Sequence, residues 1–214
     1  MKPKIALFVY DPRASVQCAN GMISALSDYY DFRLFSKSEM ESGFFDSFDI
    51  VAFPGGIGDS DSFDKLLEKN REAVHKFISR GGRYLGICMG AYWAGHHYFD
   101  LLDQVDVVQY INRPGTDTHR PHAKAIPITW EGQSDRMFFY DGCALVGNKS
   151  NFSTVAIYSN NDPMAIIQNR IGLIGCHPEA EKFWFDSYSW MKPHWHEGRQ
   201  HQLLLEFVNK LMEQ

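Results

Sequence analysis

The sequence predicts an α/β fold built on a doubly wound, mostly parallel sheet, with additional short strands in the second half. Short continuous apolar runs, such as 5–10, alternate with stretches whose apolar residues recur at helical spacing. The runs end at glycine, proline or aspartate, as strands buried on both faces of a parallel sheet commonly do. This alternation of strands and helices favours parallel pairing with right-handed crossovers.

The first half of the chain is predicted to form two β-α-β units. In order, the elements are a strand over 5–10, a helix over 16–29, strands over 30–35 and 49–53, a helix over 63–79 and a strand over 83–87. The pair Gly81-Gly82 is typical of a helix C-cap. Because carboxyl ends of parallel strands meet at one edge, we expect the loops 11–15, 54–59 and 88–90 to converge where such folds bind ligands.

The second half has shorter apolar runs, and no change of composition marks a second domain, so we expect one domain over 1–214. The short predicted strands are 105–111, 125–130, 137–140, 154–158 and 164–168. A buried strand over 171–176 and a closing helix over 202–212 follow.

Composition excludes several functional classes. The net charge of -5 gives no basic footprint for nucleic acid. The first apolar run is too short for a signal sequence or a membrane span, so we expect a cytoplasmic protein without a membrane partner. The four cysteines are widely spaced and show no C-x-x-C pair, which favours thiols over disulfides.

The stretch Gly86-Ile87-Cys88-Met89-Gly90 is typical of a nucleophile elbow. A strand that turns sharply into a helix needs small residues two positions either side of a strained central residue. Cys88 would lie beside a helix N-terminus, which favours the thiolate. An isolated G-x-C-x-G is more often a buried cysteine at a glycine-rich strand end, so the interpretation depends on a base elsewhere.

That base is predicted at His177-Pro178-Glu179, directly after the late buried strand. Cysteine catalysis needs an imidazole to take the thiol proton and a third group to orient the ring. In an extended conformation residues 177 and 179 point the same way, so Glu179 can orient His177. Alone, the motif would more often be a solvated turn.

Together these two motifs resemble the catalytic pair of class I glutamine amidotransferases, whose fold is a flavodoxin-like three-layer sandwich. The resemblance implies Cys88 as nucleophile, His177 as general base and acid, and Glu179 as the orienting carboxylate. It also implies an oxyanion hole from the backbone N–H groups of Met89 and of Gly55 or Gly56.

Residues 81–94, Phe53-Pro54-Gly55-Gly56 and 138–143 resemble more specifically the amidotransferase-like N-terminal domain of biotin protein ligases, also found in stand-alone bacterial proteins. The similarity covers most of 4–180. No glycine- and arginine-rich biotinyl-adenylate loop occurs, so biotin ligation is not predicted.

Tyr92 departs from the amidotransferase pattern, because a glutamine usually stands four residues after the nucleophile and contacts the bound glutamine. We therefore expect Tyr92 to contact a different amide or ester. The predicted function is a Cys-His-Glu hydrolase or acyl transferase of unknown substrate. The alternative is a non-catalytic binding or regulatory module. A peptidase-like or oxidative-stress relative is less favoured, since those proteins usually carry histidine where Met89 stands.

The remaining features predict no cofactor and no metal. The other histidines show no metal-ligand spacing. His96-His97, which is predicted to lie on the helix after the elbow, is expected to pack or lie on the surface. The aromatic tract 183–195 is expected mainly to pack in the core, with a lid, pocket wall or partner surface as alternatives. We expect a small-molecule amide or ester as the substrate, and a homodimer or partner subunit stays open.

Overall fold

The computed structural model describes residues 2–9, 16–40, 43–56 and 67–214. Within them the strands are β1 (Lys4–Phe8), β2 (Asp31–Phe35), β3 (Ile50–Phe53), β4 (Arg83–Ile87), β5 (Val105–Gln109), β6 (Lys124–Trp130), β7 (Gln133–Phe139), β8 (Cys143–Gly147), β9 (Ser153–Tyr158), β10 (Pro163–Gln168) and β11 (Ile171–Ile174). The α-helices are α1 (Val16–Leu26), α2 (Arg71–Ser79), α3 (Met89–Ala94), α4 (Lys182–Asp186) and α5 (Arg199–Met212).

The main sheet has nine strands in the order β2-β1-β3-β4-β11-β10-β9-β6-β7, and β5 pairs with β8 in a separate two-stranded sheet. The pairs from β2 through β11 are parallel. The pairs from β11 through β7 are antiparallel. Strands β2, β1, β3, β4 and β11 therefore form the parallel part predicted from the sequence. Strands β10, β9, β6 and β7 of the second half extend it as an antiparallel part.

Side chains of the parallel strands alternate between two apolar clusters, because successive residues of a strand point to opposite faces. Ile5 and Leu7 of β1 belong to the cluster that includes α1 and α5. Ala6 and Phe8 belong to the other, which includes α2 and α3. Helices thus cover both faces of the sheet, and the predicted three-layer α/β fold is confirmed.

Several predicted boundaries match and others differ. Strand β4 spans the predicted residues, and Gly81 after α2 has φ +99°, as a C-cap requires. Of the helix predicted over 63–79, α2 covers Arg71–Ser79, preceded by a 3₁₀ turn, while residues 57–66 lie outside the described part. Loop 11–15 also lies outside it. Strand β8 was not predicted, although its first four residues form a short apolar run like those that predicted other strands.

The neighbouring parallel strands β4 and β11 bring the two sequence motifs together. Ile87 is in register with Ile174, and the N–H of Cys88 donates to the carbonyl of Ile174 at 2.8 Å. The residues that follow the two strands, Cys88 and His177, consequently leave the sheet at the same edge. No helix within the described ranges is both long and apolar enough to cross a bilayer.

Candidate active site

Cys88 adopts the strained conformation expected at a nucleophile elbow. Its backbone has φ 49° and ψ -103°, a region that non-glycine residues rarely occupy. A Cβ on Gly86 would lie 2.5 Å from the carbonyl oxygen of Gly90, and a Cβ on Gly90 would lie 1.9 Å from that of Phe53. Both flanking glycines are therefore required by close backbone approach, as the sequence predicted.

The helix after the elbow is short. Helix α3 ends at Ala94, and the carbonyl of Cys88 accepts hydrogen bonds from the N–H groups of Ala91 and Tyr92. The placement of His96-His97 on this helix is wrong, because Gly95 ends it in an extended conformation. Both histidines are exposed, with ring centroids 3.7 Å apart.

His177 is held by both its backbone and its ring. Its N–H donates to the carbonyl of Phe138 at 2.9 Å, in an isolated bridge beside the end of β7. The rings of Phe138 and Trp184 approach the imidazole edge to face, with centroids at 6.0 and 5.8 Å. Only 4% of His177 is exposed, so its orientation is fixed within the fold.

Glu179 orients the imidazole from the other side. Its Oε1 lies 2.8 Å from His177 Nδ1, and Glu179 is fully buried. A carboxylate only accepts hydrogen bonds, so Nδ1–H donates to Oε1 and Nε2 is left for other chemistry. The contact agrees with the pairing that the sequence motif predicts.

The electrostatics of the site favour a charged His177. Burial lowers the pKa of His177, but the negative charges of Cys88 and Glu179, with hydrogen bonds to Cys18 and Cys88, outweigh it. The result is a pKa well above the ordinary histidine value. The imidazolium is thus stabilised by its interactions with Cys88 and with the Glu179 carboxylate.

Two further thiols near the site remain protonated. Burial, reinforced by Cys88 and Cys176, raises the pKa of Cys143. Burial also raises the pKa of Cys176 to about 12, partly opposed by its hydrogen bond with Tyr158. The four cysteines form no disulfide, and all are buried. The sulfur of Cys88 lies 3.7 Å from the carbonyl oxygen of Tyr140.

Tyr92 lies at the edge of the same site. Its hydroxyl donates to the carbonyl of Asp141 at 3.4 Å, and burial, followed by the thiols Cys143 and Cys88, raises its pKa. Asp141 has φ 49° and its carboxylate accepts from Gln109 Nε2 at 3.2 Å. A neutral hydroxyl therefore lies close enough to Cys88 to interact with it electrostatically, at the position where the amidotransferase pattern has an amide.

The glycine loop after β3 packs against the histidine. A Cβ on Gly55 would lie 2.6 Å from His177 Cε1 and 2.9 Å from Cys18 Sγ. Gly56 is half-buried and is the last described residue before 67, and Met89 opens α3, also half-buried. The loop predicted to border the site therefore does so at Gly55.

Cys18 lies next to the site and was not predicted from the sequence to do so. It lies in the first turn of α1, and its sulfur is 3.9 Å from His177 Nδ1. Ligand atoms of Cys18, His177 and Glu179 all lie within 4.8 Å of one another. The sequence did contain a signal for this placement. Helix α1 follows β1, one of the strands whose carboxyl ends were expected to converge, so its first turn lies at the same edge of the sheet.

The aromatic tract 183–195 serves two purposes. Phe185 is fully buried in a small cluster with Met191, and Trp184 packs on His177. The exposed aromatic residues of the tract are Phe183, Tyr188 and Trp190. Core packing, the favoured prediction, therefore accounts for part of the tract, and Trp184 is part of the wall around the histidine.

Residues 11–110 match the family model described as biotin-protein ligase, N terminal. Over these residues the match confirms the resemblance to that domain stated from the sequence motifs. It includes Cys88 and ends before His177. No curated protein sequence matches the chain.

Solved structures that share the fold include three glutamine amidotransferases. A glutamine amidotransferase from Thermotoga maritima is 11% identical, with 100% of each chain covered and a TM-score of 0.70. A second glutamine amidotransferase is 14% identical, with 98% of this chain and 99% of the other covered and a TM-score of 0.63. One from Methylobacillus flagellatus is 11% identical, covering 91% of this chain and 77% of the other, with a TM-score of 0.58. At these identities the likeness establishes the fold alone.

Proposed function

We propose that this chain is a cysteine-dependent hydrolase or acyl transferase that acts on a small amide or ester through a thioester at Cys88. One observation carries the proposal: Cys88, in the strained elbow, interacts electrostatically with an imidazole whose Nδ1 is held 2.8 Å from a fully buried carboxylate. Covalent cysteine catalysis requires a nucleophile, a base that interacts with it and a third group that orients the base.

Acylation starts from the pair in which the Cys88 thiol proton already lies on His177, for which Nε2 is the available nitrogen. The thiolate attacks the carbonyl carbon, so a carbon–sulfur bond forms and the carbonyl electron pair moves onto oxygen. When this oxyanion collapses, the bond to the amine or alcohol breaks and the leaving group takes the proton from His177. The raised pKa of His177 keeps this proton on the ring until the leaving group takes it.

Deacylation reverses these proton transfers. Water, or an amine in a transfer reaction, attacks the thioester carbon while His177 accepts its proton. The carbon–sulfur bond then breaks, the acid or new amide leaves, and Cys88 returns as thiolate beside the imidazolium. Glu179 keeps Nδ1 protonated throughout, and so keeps the ring in one tautomer.

We assign the oxyanion contacts to backbone N–H groups of Met89 and of Gly55 or Gly56. Met89 opens α3, and the first N–H groups of a helix have no partner within it. Gly55 packs directly against His177, so its loop borders the reacting carbon. Removing one such donor typically costs about 3 kcal/mol of transition-state stabilisation.

The alternative function is a non-catalytic binding or regulatory module. Only 7% of Cys88 and 4% of His177 are exposed, and a buried elbow can be kept for packing alone. The two functions differ in whether Cys88 reacts, which the next experiment measures.

We expect a small carbonyl-like electrophile to label Cys88 faster than the other three cysteines at neutral pH. Burial raises the pKa of Cys143 and Cys176, so their thiolate fractions are very small. Cys18 also lies near His177, but its sulfur faces Nδ1, which is already paired with Glu179, and only 3% of Cys18 is exposed. Cys88 lies beside the His177 imidazolium in the strained elbow, where Nε2 is the available nitrogen. Peptide mass spectrometry after a short labelling pulse measures the four rates. Equal labelling of all four thiols would contradict the catalytic proposal, and Cys88→Ser supplies the control.

We expect no ammonia release from glutamine above the level of a Cys88→Ala variant. Tyr92 presents a hydroxyl, whose burial keeps it protonated, in place of the amide that contacts glutamine in class I amidotransferases. A coupled ammonia assay decides the point. Ammonia release that depends on Cys88 would instead make glutamine the substrate. A screen of other amides and esters against the wild type and Cys88→Ala would identify other substrates.

The cysteines indicate the compartment in which the protein works. Four cysteines without a disulfide suit a reducing compartment, and we infer the cytoplasm. We also infer a small-molecule partner rather than nucleic acid, because the net charge is -5. Neither membrane attachment nor a cofactor is needed for the proposed chemistry.

A further inference from the structure

We propose that Cys18, His177 and Glu179 form a regulatory site for a thiophilic divalent cation, with Zn²⁺ as the best fit. The spacing of these residues along the chain gives no metal-binding pattern. Only the fold brings Cys18 to the neighbouring pair of His177 and Glu179. Cys18 lies on α1, whereas His177 and Glu179 follow β11. The site thus joins the candidate catalytic base to a thiol that the proposed reaction does not use.

The distances suit a tetrahedral ion. Zinc bonds of about 2.0–2.3 Å to nitrogen, oxygen and sulfur place neighbouring ligand atoms about 3.3–3.8 Å apart. Cys18 Sγ and His177 Nδ1 are 3.9 Å apart, and all three ligand atoms lie within 4.8 Å. His177 Nδ1 and Glu179 Oε1, at 2.8 Å, would need to separate by about 0.5 Å to admit the ion.

A second observation points to a ligand at this place. Glu179 is fully buried, and its Oε2 finds no hydrogen-bond partner among the described residues. A buried carboxylate oxygen without a partner carries a desolvation penalty. A cation coordinated by both carboxylate oxygens of Glu179 would give Oε2 a partner and offset that penalty.

The donor set selects the type of cation. A thiolate with an imidazole favours Zn²⁺ over Mg²⁺ or Ca²⁺, which prefer oxygen ligands. Binding displaces the Cys18 thiol proton and the Nδ1 proton of His177. Three protein ligands leave the fourth position to water.

Metal binding would inhibit the proposed reaction, and this consequence rests on the proposed function. The ion would replace the Nδ1 proton that Glu179 accepts, which leaves a neutral ring with its one proton on Nε2. His177 would then lose both its orienting carboxylate and its ability to accept the Cys88 thiol proton. Release of the ion restores the triad.

Cobalt binding tests the site independently of any activity. Titration of the full chain with Co²⁺ should produce a thiolate-to-cobalt charge-transfer band, and Zn²⁺ should displace it. Cys18→Ser should remove the band and lower Zn²⁺ affinity on the order of 100-fold, because a hydroxyl is a poor zinc ligand. The matched controls are Cys88→Ser, which should keep the band, and His196→Ala, which removes an exposed histidine.

Three results would overturn the site: a wild-type cobalt spectrum without the band, a band that survives in Cys18→Ser, or a band lost in Cys88→Ser. Circular dichroism checks that each variant folds, and Glu179→Gln, which keeps the side-chain volume, gives a second test if Cys18→Ser does not fold. Its Zn²⁺ affinity should also fall.

The inhibitory effect is measured as the rate of Cys88 labelling with and without Zn²⁺, each protein serving as its own reference. We expect Zn²⁺ to slow labelling at least about tenfold in the wild type and to have no effect in Cys18→Ser. Equal slowing in both proteins would overturn the regulatory role. If Cys88 is unreactive even without metal, the proposed function fails, and the cobalt spectrum still decides the metal site.

Discussion

Replacement of His177 by alanine is expected to lower the rate of Cys88 labelling at neutral pH at least about tenfold, and kcat/KM for a turned-over substrate by about 10³-fold, close to 4 kcal/mol. In the proposed mechanism the His177 imidazolium stabilises the Cys88 thiolate, which speeds labelling. During turnover it would also transfer protons, so the expected loss in kcat/KM is larger. Stopped labelling with mass spectrometry and steady-state kinetics measure the two effects.

The pH dependence separates this role from a structural one. The charges of Cys88 and Glu179 raise the pKa of His177 despite burial, so the imidazolium persists above the pH range of an ordinary histidine. When the rate of Cys88 labelling is plotted against pH, we therefore expect the fall on the basic side to occur above the usual histidine pKa of about 6.5. This fall should be absent in His177→Ala.

A matched control is available at His201. This partly buried histidine donates from Nε2 to the carbonyl of Ala180 at 3.0 Å and takes no part in the triad. If His201→Ala lowered labelling as much as His177→Ala, the effect would be one of general packing, and the assignment of the base would be wrong.

Replacement of Gly90 by alanine is expected to destabilise the protein by about 3 kcal/mol and to abolish selective labelling of Cys88. The new Cβ would lie 1.9 Å from the carbonyl oxygen of Phe53, a backbone atom that cannot rotate away. Either α3 or β3 must move, and overpacking of this kind typically costs 1–3 kcal/mol, sometimes more. Urea unfolding followed by circular dichroism measures the change.

Gly95→Ala serves as the control at the other end of α3. Its Cβ would lie 3.1 Å from the carbonyl oxygen of Tyr92, and Gly95 has φ -64°, which alanine adopts readily. We expect a change below about 1 kcal/mol. Equal destabilisation by the two substitutions would show that the elbow has no special steric requirement.

Local sequence was sufficient for the elements that depend on neighbouring residues. Strand β4 was predicted with its observed bounds because a buried strand has a continuous apolar run with clear ends. The elbow glycines were identified because the sharp turn restricts the residues beside Cys88. The contact between His177 and Glu179 was predicted because two residues in one extended segment point the same way.

Elements that depend on distant partners were not predicted. The antiparallel order of β10, β9, β6 and β7 depends on pairing between segments, and β8 owes its formation to β5. The packing of Trp184 on His177 depends on where the chain turns after Ala180. Periodicity describes one segment at a time and contains no information on such pairings.

The sequence by itself determined a strained cysteine between two glycines, a histidine with its carboxylate, and strands that end at one edge of a sheet. Tertiary structure decided that β4 and β11 are neighbours, which places Cys88 beside His177. It also decided that α1 brings Cys18 to 3.9 Å from the same imidazole. The reason is physical: a dihedral angle or a two-residue spacing is set locally, whereas a contact between residues 159 positions apart exists only once the sheet and its helices have packed.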